Sequence, residues 1–300
     1  MPGRGELTDA AWARIEPLLP NENERRRGRQ WRDHRQVING ILWKIRTGAP
    51  WRDLPERYGP WKTCHERLRR WSADGTWDRI LAEVIVKDDS VGAVEWVISV
   101  DSTVVRAHQH AAGARKKGGP DAAGSKTSSS NGEGLGRSRG GLSTKVHLAV
   151  DGRGLPMSTL LKPGQAGDNP QLVPLLDQIS VARDGPDRPR SRPDMVIADK
   201  AYSHLSTRTE MRYRRIRFTC PERSDQIAHR KAKGSAGGRP PAFDAAAYKC
   251  RNVVERCFNR LKQFRDLATR YAKRLAYYQA ELTIAAIVLW LRQHELQDRP

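Results

Sequence analysis

The sequence predicts an α/β protein: an N-terminal all-α region of helix-turn-helix type, residues 1–90, followed by a mixed-sheet domain, residues 91–300. Three observations carry that prediction. Apolar residues recur at helical spacing through residues 7–88. From residue 94 the pattern changes to alternation and to short apolar runs bounded by turn residues. Two of those runs, "WVISVD" and "MVIAD", end on an aspartate, as buried strands with a polar carboxyl end would.

Thr8 can cap a helix over "DAAWARIEPLL", with Leu7 and Trp12 placed as a hydrophobic staple. Asp33 opens a second helix with Val37, Ile38, Ile41, Leu42 and Ile45 on one face, and Gly48 ends it. "APWRDLPERYGP" is a turn-rich connector. A third helix over about 61–73 turns Trp61, Cys64, Leu68 and Trp71 inward and Lys62, Arg67, Arg69 and Arg70 outward. A fourth begins near Trp77. Short helices around a turn, the later one basic, fit a helix-turn-helix unit that enters the DNA major groove. A plain bundle with a solvated charged face would look the same. The run "RRRGRQWR" (25–32) reads equally as a phosphate-contacting loop or as solvated charge.

"VEWVISVDSTVVRA" (94–107) reads as a strand with Trp96, Ile98, Val100 and Val104 on one face. "STKVHLAVDGRGLPMSTLLKPG" (143–164) reads as a hairpin around "DGRG". "PDMVIADKAY" (193–202) and "RRIRFTCPE" (214–222) are further short strands. Helices are expected over "NPQLVPLLDQI", "HLSTRTEMRYR" and the C-terminal stretches. Basic, Gly-rich segments near 111–141 and 223–241 read as flexible loops, which either order on DNA or stay disordered.

Composition narrows the partner. The chain has 300 residues, 54 Lys and Arg against 34 Asp and Glu, and a formal net charge of +20. Such an imbalance favours a polyanion. The longest apolar run, "LTIAAIVLWL", is too short to span a bilayer, and "MPGRGELTDA" has no signal-peptide core. Nucleic acid in the cytoplasm is therefore the expected partner and place. Four cysteines (Cys64, Cys220, Cys250, Cys257) form no CxxC pair, so structural zinc is not expected. Cys250 and Cys257 are expected to pack on a buried helix face.

Asp101 and Asp199 end apolar strands. If those strands are parallel neighbours, both carboxylates meet at the sheet edge where ligands bind, and they repel unless a cation intervenes. Glu255 stands in "YKCRNVVERCFNRLK" (248–262). On one continuous helix, Tyr248, Arg251, Glu255, Asn259 and Lys262 share an arc of about 80°. That stripe suits an ordinary wet face. It equally suits a third carboxylate delivered to the sheet edge, completing a site for two Mg²⁺ ions (or Mn²⁺ in their place) at a phosphodiester. Arg251 and Lys262 would then hold DNA phosphates. Tyr248 either orients substrate or packs against the helix start. His108 and His110 suit DNA contact or strand-end packing better than metal, and Lys200 and His204 are either phosphate contacts or ordinary surface.

These stretches resemble a known family. "YKCRNVVERCFNRLK" is similar to the Y-(2)-R-(3)-E-(6)-K signature of bacterial insertion-sequence transposases. With "VDSTVVRAHQH", "IADKAYSH", "GRSRGGLSTKVHLAVDGRG", "RDLATRYAK" and "GAPWRDLPERYGPWKTCHERLRRW", nearly the whole chain resembles the DDE transposases of the insertion-sequence-five family. The resemblance implies an RNase H-like catalytic fold. It also implies terminal-repeat binding, and metal-dependent cleavage and strand transfer by Asp101, Asp199 and Glu255, with Tyr248, Arg251 and Lys262 as signature partners. An assembly of two or more copies on DNA is expected. "RYAK" departs from the pattern, with Ala272 where the family often has Asp. A nuclease that cuts without joining, or a silent DNA-binding regulator, would share much of this sequence; the intact triad argues against the regulator.

Overall fold

The structure is a computed structural model and describes residues 3, 5–21, 31–112, 133–183 and 188–297, with the side chains of 294–297 left aside. Four helices precede the sheet: α1 (Asp9–Ile15), α2 (His34–Thr47), α3 (Trp61–Ala73) and α4 (Thr76–Ser90). The strands are β1 (Val97–Arg106), β2 (Gly136–Ser138), β3 (Gly141–Val150), β4 (Pro156–Pro163), β5 (Met195–Ala198) and β6 (Arg217–Thr219). Helix α5 (Gln109–Ala112) follows β1, α6 (Leu172–Leu176) follows β4, and α7 (Leu205–Tyr213) joins β5 to β6. After β6 come α8 (Ser224–Ala232), α9 (Ala245–Lys249), α10 (Asn252–Lys262), α11 (Arg265–Ala268) and α12 (Leu275–Gln297).

The N-terminal helices form where their local chemistry dictates. Thr8 accepts a hydrogen bond from Ala11 N and Asp33 one from Gln36 N, so α1 and α2 start at their expected caps. Gly48 closes α2 in the left-handed region at φ 69°. Val37, Ile38, Ile41, Leu42 and Ile45 are buried together. Between α3 and α4 lie only Asp74 and Gly75, the latter at φ 73°, and Asp74 accepts from both the N–H and the hydroxyl of Thr76. Arg14 pairs with Asp88 at 2.5 Å and ties α1 to α4.

The sheet is mixed. β1 pairs antiparallel with β3, and β3 pairs antiparallel with β4 and the short β2. On its other side β1 pairs parallel with β5, which pairs parallel with β6. The DGRG hairpin forms as expected: the buried Asp151 carboxylate accepts from Arg153 N and Leu155 N at 3.1 and 2.7 Å, and Gly154 turns at φ 82°. Helix α6 lies on one face, where Ser158 Oγ donates to Leu175 O. On the other face Phe258 and Leu261 of α10 and Tyr278 and Leu282 of α12 surround Thr103, Val105 and Val146. Ile98, Ser99 and Val100 are all buried, since both faces of β1 are covered there.

Helix α12 is apolar around most of its circumference because it is packed on several sides: it lies against α1, α3, α4, β4 and α11. It therefore carries one core from the N-terminal helices to the sheet. No helix among the described residues is long and apolar enough to cross a membrane.

Three expectations need correction. Residues 223–241 are not a loop throughout: α8 forms there, with Arg223 N bonded to Gln226 Oε1 and Arg230 paired with Glu222 at 2.9 Å. No α8 side chain is buried, so it lacks the apolar stripe that sequence reading depends on. The segment 111–141 likewise contains β2; residues 113–132 lie outside the described residues, as do 25–30 of the basic run. Val104 keeps the face of Ile98 and Val100, as alternation places it, and is 44% exposed there. Finally, the signature helix is broken. Cys250 N and Arg251 N bond back three residues, to Ala247 and Tyr248, so α9 ends in a tight turn before α10 starts. The turn leaves Cys250 exposed while Cys257 is fully buried.

Candidate active site

Asp101 and Asp199 are each the residue immediately after the Val100–Ala198 pair, the last rung of the parallel β1–β5 ladder. β5 stops at Ala198, whereas β1 continues to Arg106. The edge of β1 is therefore uncovered by β5 from Asp101 onward, at the carboxyl end of the parallel ladder. Asp101 accepts from Ser102 N at 2.8 Å, and Asp199 from Ala201 N at 2.8 Å. Burial pushes the Asp101 carboxyl above its ordinary value; the Ser102 N–H and the Arg251 guanidinium oppose that shift, and the charge of Asp199 adds to it.

Glu255 lies in the first turn of α10, its side chain 49% exposed, over the same face of the sheet as Asp101. Arg251 joins the two: Nη1 donates to Asp101 Oδ2 at 3.0 Å, and Nη2 donates to Glu255 Oε1. Val253, Val254, Cys257, Phe258 and Leu261 anchor the buried side of α10. The structure thus brings Asp101, Asp199, Arg251 and Glu255 into one neighbourhood. Among the described residues no three metal-ligating side chains are already gathered around a common point; a cationic side chain bridges two of the acids instead. Three carboxylates offer only oxygen donors, which would suit a hard divalent ion.

The remaining predicted residues scatter. Lys262 is exposed and borders the shallow cleft beside Thr103 and Val105 on the Asp101 face. Tyr248, now on α9, packs against Phe243 with ring centroids 5.3 Å apart, and Asp244 caps that helix through Ala247 N. Lys200 is exposed beside Asp199. His108 stacks on Tyr271 and His110, and its N–H donates to Arg270 O. His204 caps α7 through Ser206 N. Lys62, Arg69 and Arg70 are exposed on α3, where Arg69 grips Glu66 with two nitrogens.

Arg67 does not point outward. It is 7% exposed, its guanidinium 4.0 Å from the Trp31 ring centroid and 4.9 Å from that of Trp71, and it contacts His34 Nδ1. The stem of an arginine and the face of its guanidinium both suit apolar and aromatic surroundings, which charge counting on a helix face overlooks. Arg67→Ala is accordingly expected to lower stability by about 1–2 kcal/mol through lost stacking, measured by urea denaturation. Lys62→Ala should leave stability unchanged.

Sequence reading also passed over Arg270. It is fully buried, and its guanidinium bonds to Glu133 O, Thr144 Oγ1, Ala272 O and Lys273 O. Ala272 contributes through its backbone carbonyl, a contact its side chain does not set.

Residues 92–291 match the family model described as "Transposase DDE domain", two thirds of the chain. The chain belongs to the DDE transposases. Residues 7–81 of this transposase match a second model, "Putative transposase of IS4/5 family", which makes it a DNA-processing enzyme of the IS4/IS5 type. A Sinorhizobium fredii protein, "Uncharacterized protein y4sN", is 42% identical over 114 residues, 38% of this transposase and 86% of its own length. A Brucella ovis protein named "Putative transposase for insertion sequence element IS6501" is 31% identical over 153 residues, half of this transposase and all of its own length. A Burkholderia cepacia protein named for a transposase of element IS402 is 31% identical over 148 residues, 49% of this transposase and 63% of its own length. No solved structure matches the transposase.

Proposed function

We propose that this transposase binds the terminal inverted repeats of its own insertion sequence, cuts the DNA at the element ends, and joins the freed 3′-hydroxyl to target DNA. Asp101, Asp199 and Glu255 are the catalytic acids and hold two Mg²⁺ ions, with Mn²⁺ as a substitute. The observation that carries this reading is the pair of aspartates just past the last rung of the parallel β1–β5 ladder, with Glu255 tied to Asp101 through Arg251. The antiparallel run β1–β3–β4, with β5 and β6 added in parallel, supports an RNase H-like reading of the sheet. The change from helices to strands near residue 90 supports a division into DNA-binding and catalytic parts.

When bound, the ions supply an activated oxygen and neutralise charge on the attacking and leaving oxygens of an in-line displacement. The protein's own groups do the rest. The Ser102 and Ala201 N–H groups hold Asp101 and Asp199 in place before substrate arrives. Arg251 offsets the charge of Asp101 and Glu255 in the resting protein and moves to a phosphate when DNA binds. Lys262 and Lys200, on either side of the acids, contact the flanking backbone. The basic helix α3 presents Lys62, Arg69 and Arg70 to the terminal repeat as the later helix of a helix-turn-helix unit. Two copies bridge the two element ends.

Incubation of the transposase with DNA flanking its own gene and Mg²⁺, mapping cuts on both strands, tests this reading. Cuts at the element ends that Asp199→Ala abolishes are expected; cuts that survive that substitution would sink it. Arg251→Gln separates the two roles of that residue. Without DNA the variant should bind Mn²⁺ at least about tenfold more tightly, since each of the two cation-to-carboxylate contacts it loses is worth roughly that factor. With DNA it should cut more slowly.

A further inference from the structure

We propose that Asp168 and Lys145 are positioning residues for the transposition reaction, holding the stretch of β1 around Asp101 through Ser102 from the face of the sheet opposite α10. The inference rests on the reading of Asp101, Asp199 and Glu255 as metal-binding acids and extends that site to the other face.

Neighbouring residues on a strand point to opposite faces. Asp101 turns toward Arg251 and α10, so Ser102 turns away from them. Ser102 Oγ donates to Asp168 Oδ1 at 2.6 Å, and Lys145 Nζ donates to the same oxygen at 3.1 Å. Lys145 sits on β3 in register with Val104, and Asp168 comes from the loop after β4. One carboxylate thus clamps β1 to β3 directly behind Asp101. Tyr202, three residues after Asp199 and buried, brings its hydroxyl to the same place. Burial and the nearby charges of Asp168, Asp101 and Asp199 all disfavour its ionisation. His147, opposite Ser102 on β3, is fully buried with Nδ1 3.7 Å from Asp168. Burial, reinforced by Lys145 and Lys162, pushes its imidazole down to about 4 despite the pull of Asp168, so Lys145 and not His147 supplies the countercharge.

The clamp fixes the stretch of β1 that presents Asp101, and it does so from the face of the sheet opposite Arg251 and Glu255. Outer partners of metal-binding groups typically matter by about 10–100-fold in affinity.

Mn²⁺ titration of the full-length, DNA-free protein, with free Mn²⁺ read by electron paramagnetic resonance, tests the proposal. Asp168→Asn is expected to weaken Mn²⁺ binding about tenfold. Ser102→Ala, which removes a hydroxyl and no charge, should weaken it about threefold, and the double variant should be no worse than Asp168→Asn alone. Ser102→Ala keeps the question answerable if Asp168→Asn does not fold. Mn²⁺ affinity within twofold of the parent in the folded variants overturns the proposal, even if their unfolding midpoints drop. Asp199→Ala is the control. Loss of Mn²⁺ binding there, with Asp168→Asn unchanged, refutes the brace alone. Retention of binding in Asp199→Ala refutes the three-acid site, and the brace falls with it.

Discussion

Asp101→Asn, Asp199→Ala and Glu255→Gln are each expected to slow DNA cleavage by at least about 10³-fold while leaving DNA binding intact. The size follows from the role. A metal ion at a transferring phosphoryl group is worth several kcal/mol of transition-state stabilisation, and each 1.4 kcal/mol is a factor of ten in rate. The sign on binding follows from charge. Each substitution removes a negative charge from a protein of net charge +20, so affinity for DNA should hold or rise. Stability should not fall with Asp199→Asn either, since Asp199 adds to the penalty on the buried Asp101. Cleavage lost with binding and unfolding midpoint both kept would separate chemistry from collapse. Filter binding, strand-cleavage gels and urea denaturation on the same preparations decide it. A variant that cuts within tenfold of the parent would remove that residue from the site.

The two aspartates were legible because a buried strand is a run of apolar residues, and an acid that ends such a run has few places to go. Both apolar runs formed strands, and both acids follow the last rung of the parallel pairing, although β1 itself continues past Asp101 to Arg106. Glu255 was legible only in part. Its spacing from Val253, Cys257 and Leu261 set the buried side of α10, but the period of a continuous helix gave no sign of the tight turn at Cys250 and Arg251. Two hydrogen bonds of the three-residue type displace Tyr248 and Cys250 from the faces that 100° per residue assigns them. The long-range partners of Asp101 and Ser102 were not legible from periodicity. Arg251 lies 150 positions from Asp101 and Asp168 lies 66 from Ser102, and local periodicity carries no such information. Arg67 shows the same limit on the surface side: its burial depends on Trp31, brought in from before α2.

Lys44→Met is expected to destabilise the protein by about 3–5 kcal/mol, the cost of stranding buried charge. Lys44 on α2 contacts Asp266 of α11 and Glu281 of α12, the latter at 3.1 Å, and all three are buried. Two ionised carboxylates beside one ammonium would leave an uncompensated charge in the core. Burial, with the neighbouring Asp266, instead pushes the Glu281 carboxyl up to about 8 against the pull of Lys44. Asp266 Oδ1 and Glu281 Oε2 have no other hydrogen-bond partner, and a proton held between the two acids satisfies both. In the unfolded chain Glu281 titrates near 4.5. Its contribution to stability is therefore full below that pH and is lost as pH rises toward 8, a decline on the order of a few kcal/mol. Glu281→Gln keeps a donor for Asp266 and cannot ionise, so its stability should exceed that of the parent increasingly between pH 5 and pH 8, then run parallel. Urea midpoints at intervals from pH 5 to pH 9 check this, and curves parallel throughout that range would refute the shared proton. Because Lys44 lies on α2 and its two partners on α11 and α12, the same titration should loosen the junction between the N-terminal helices and the C-terminal ones.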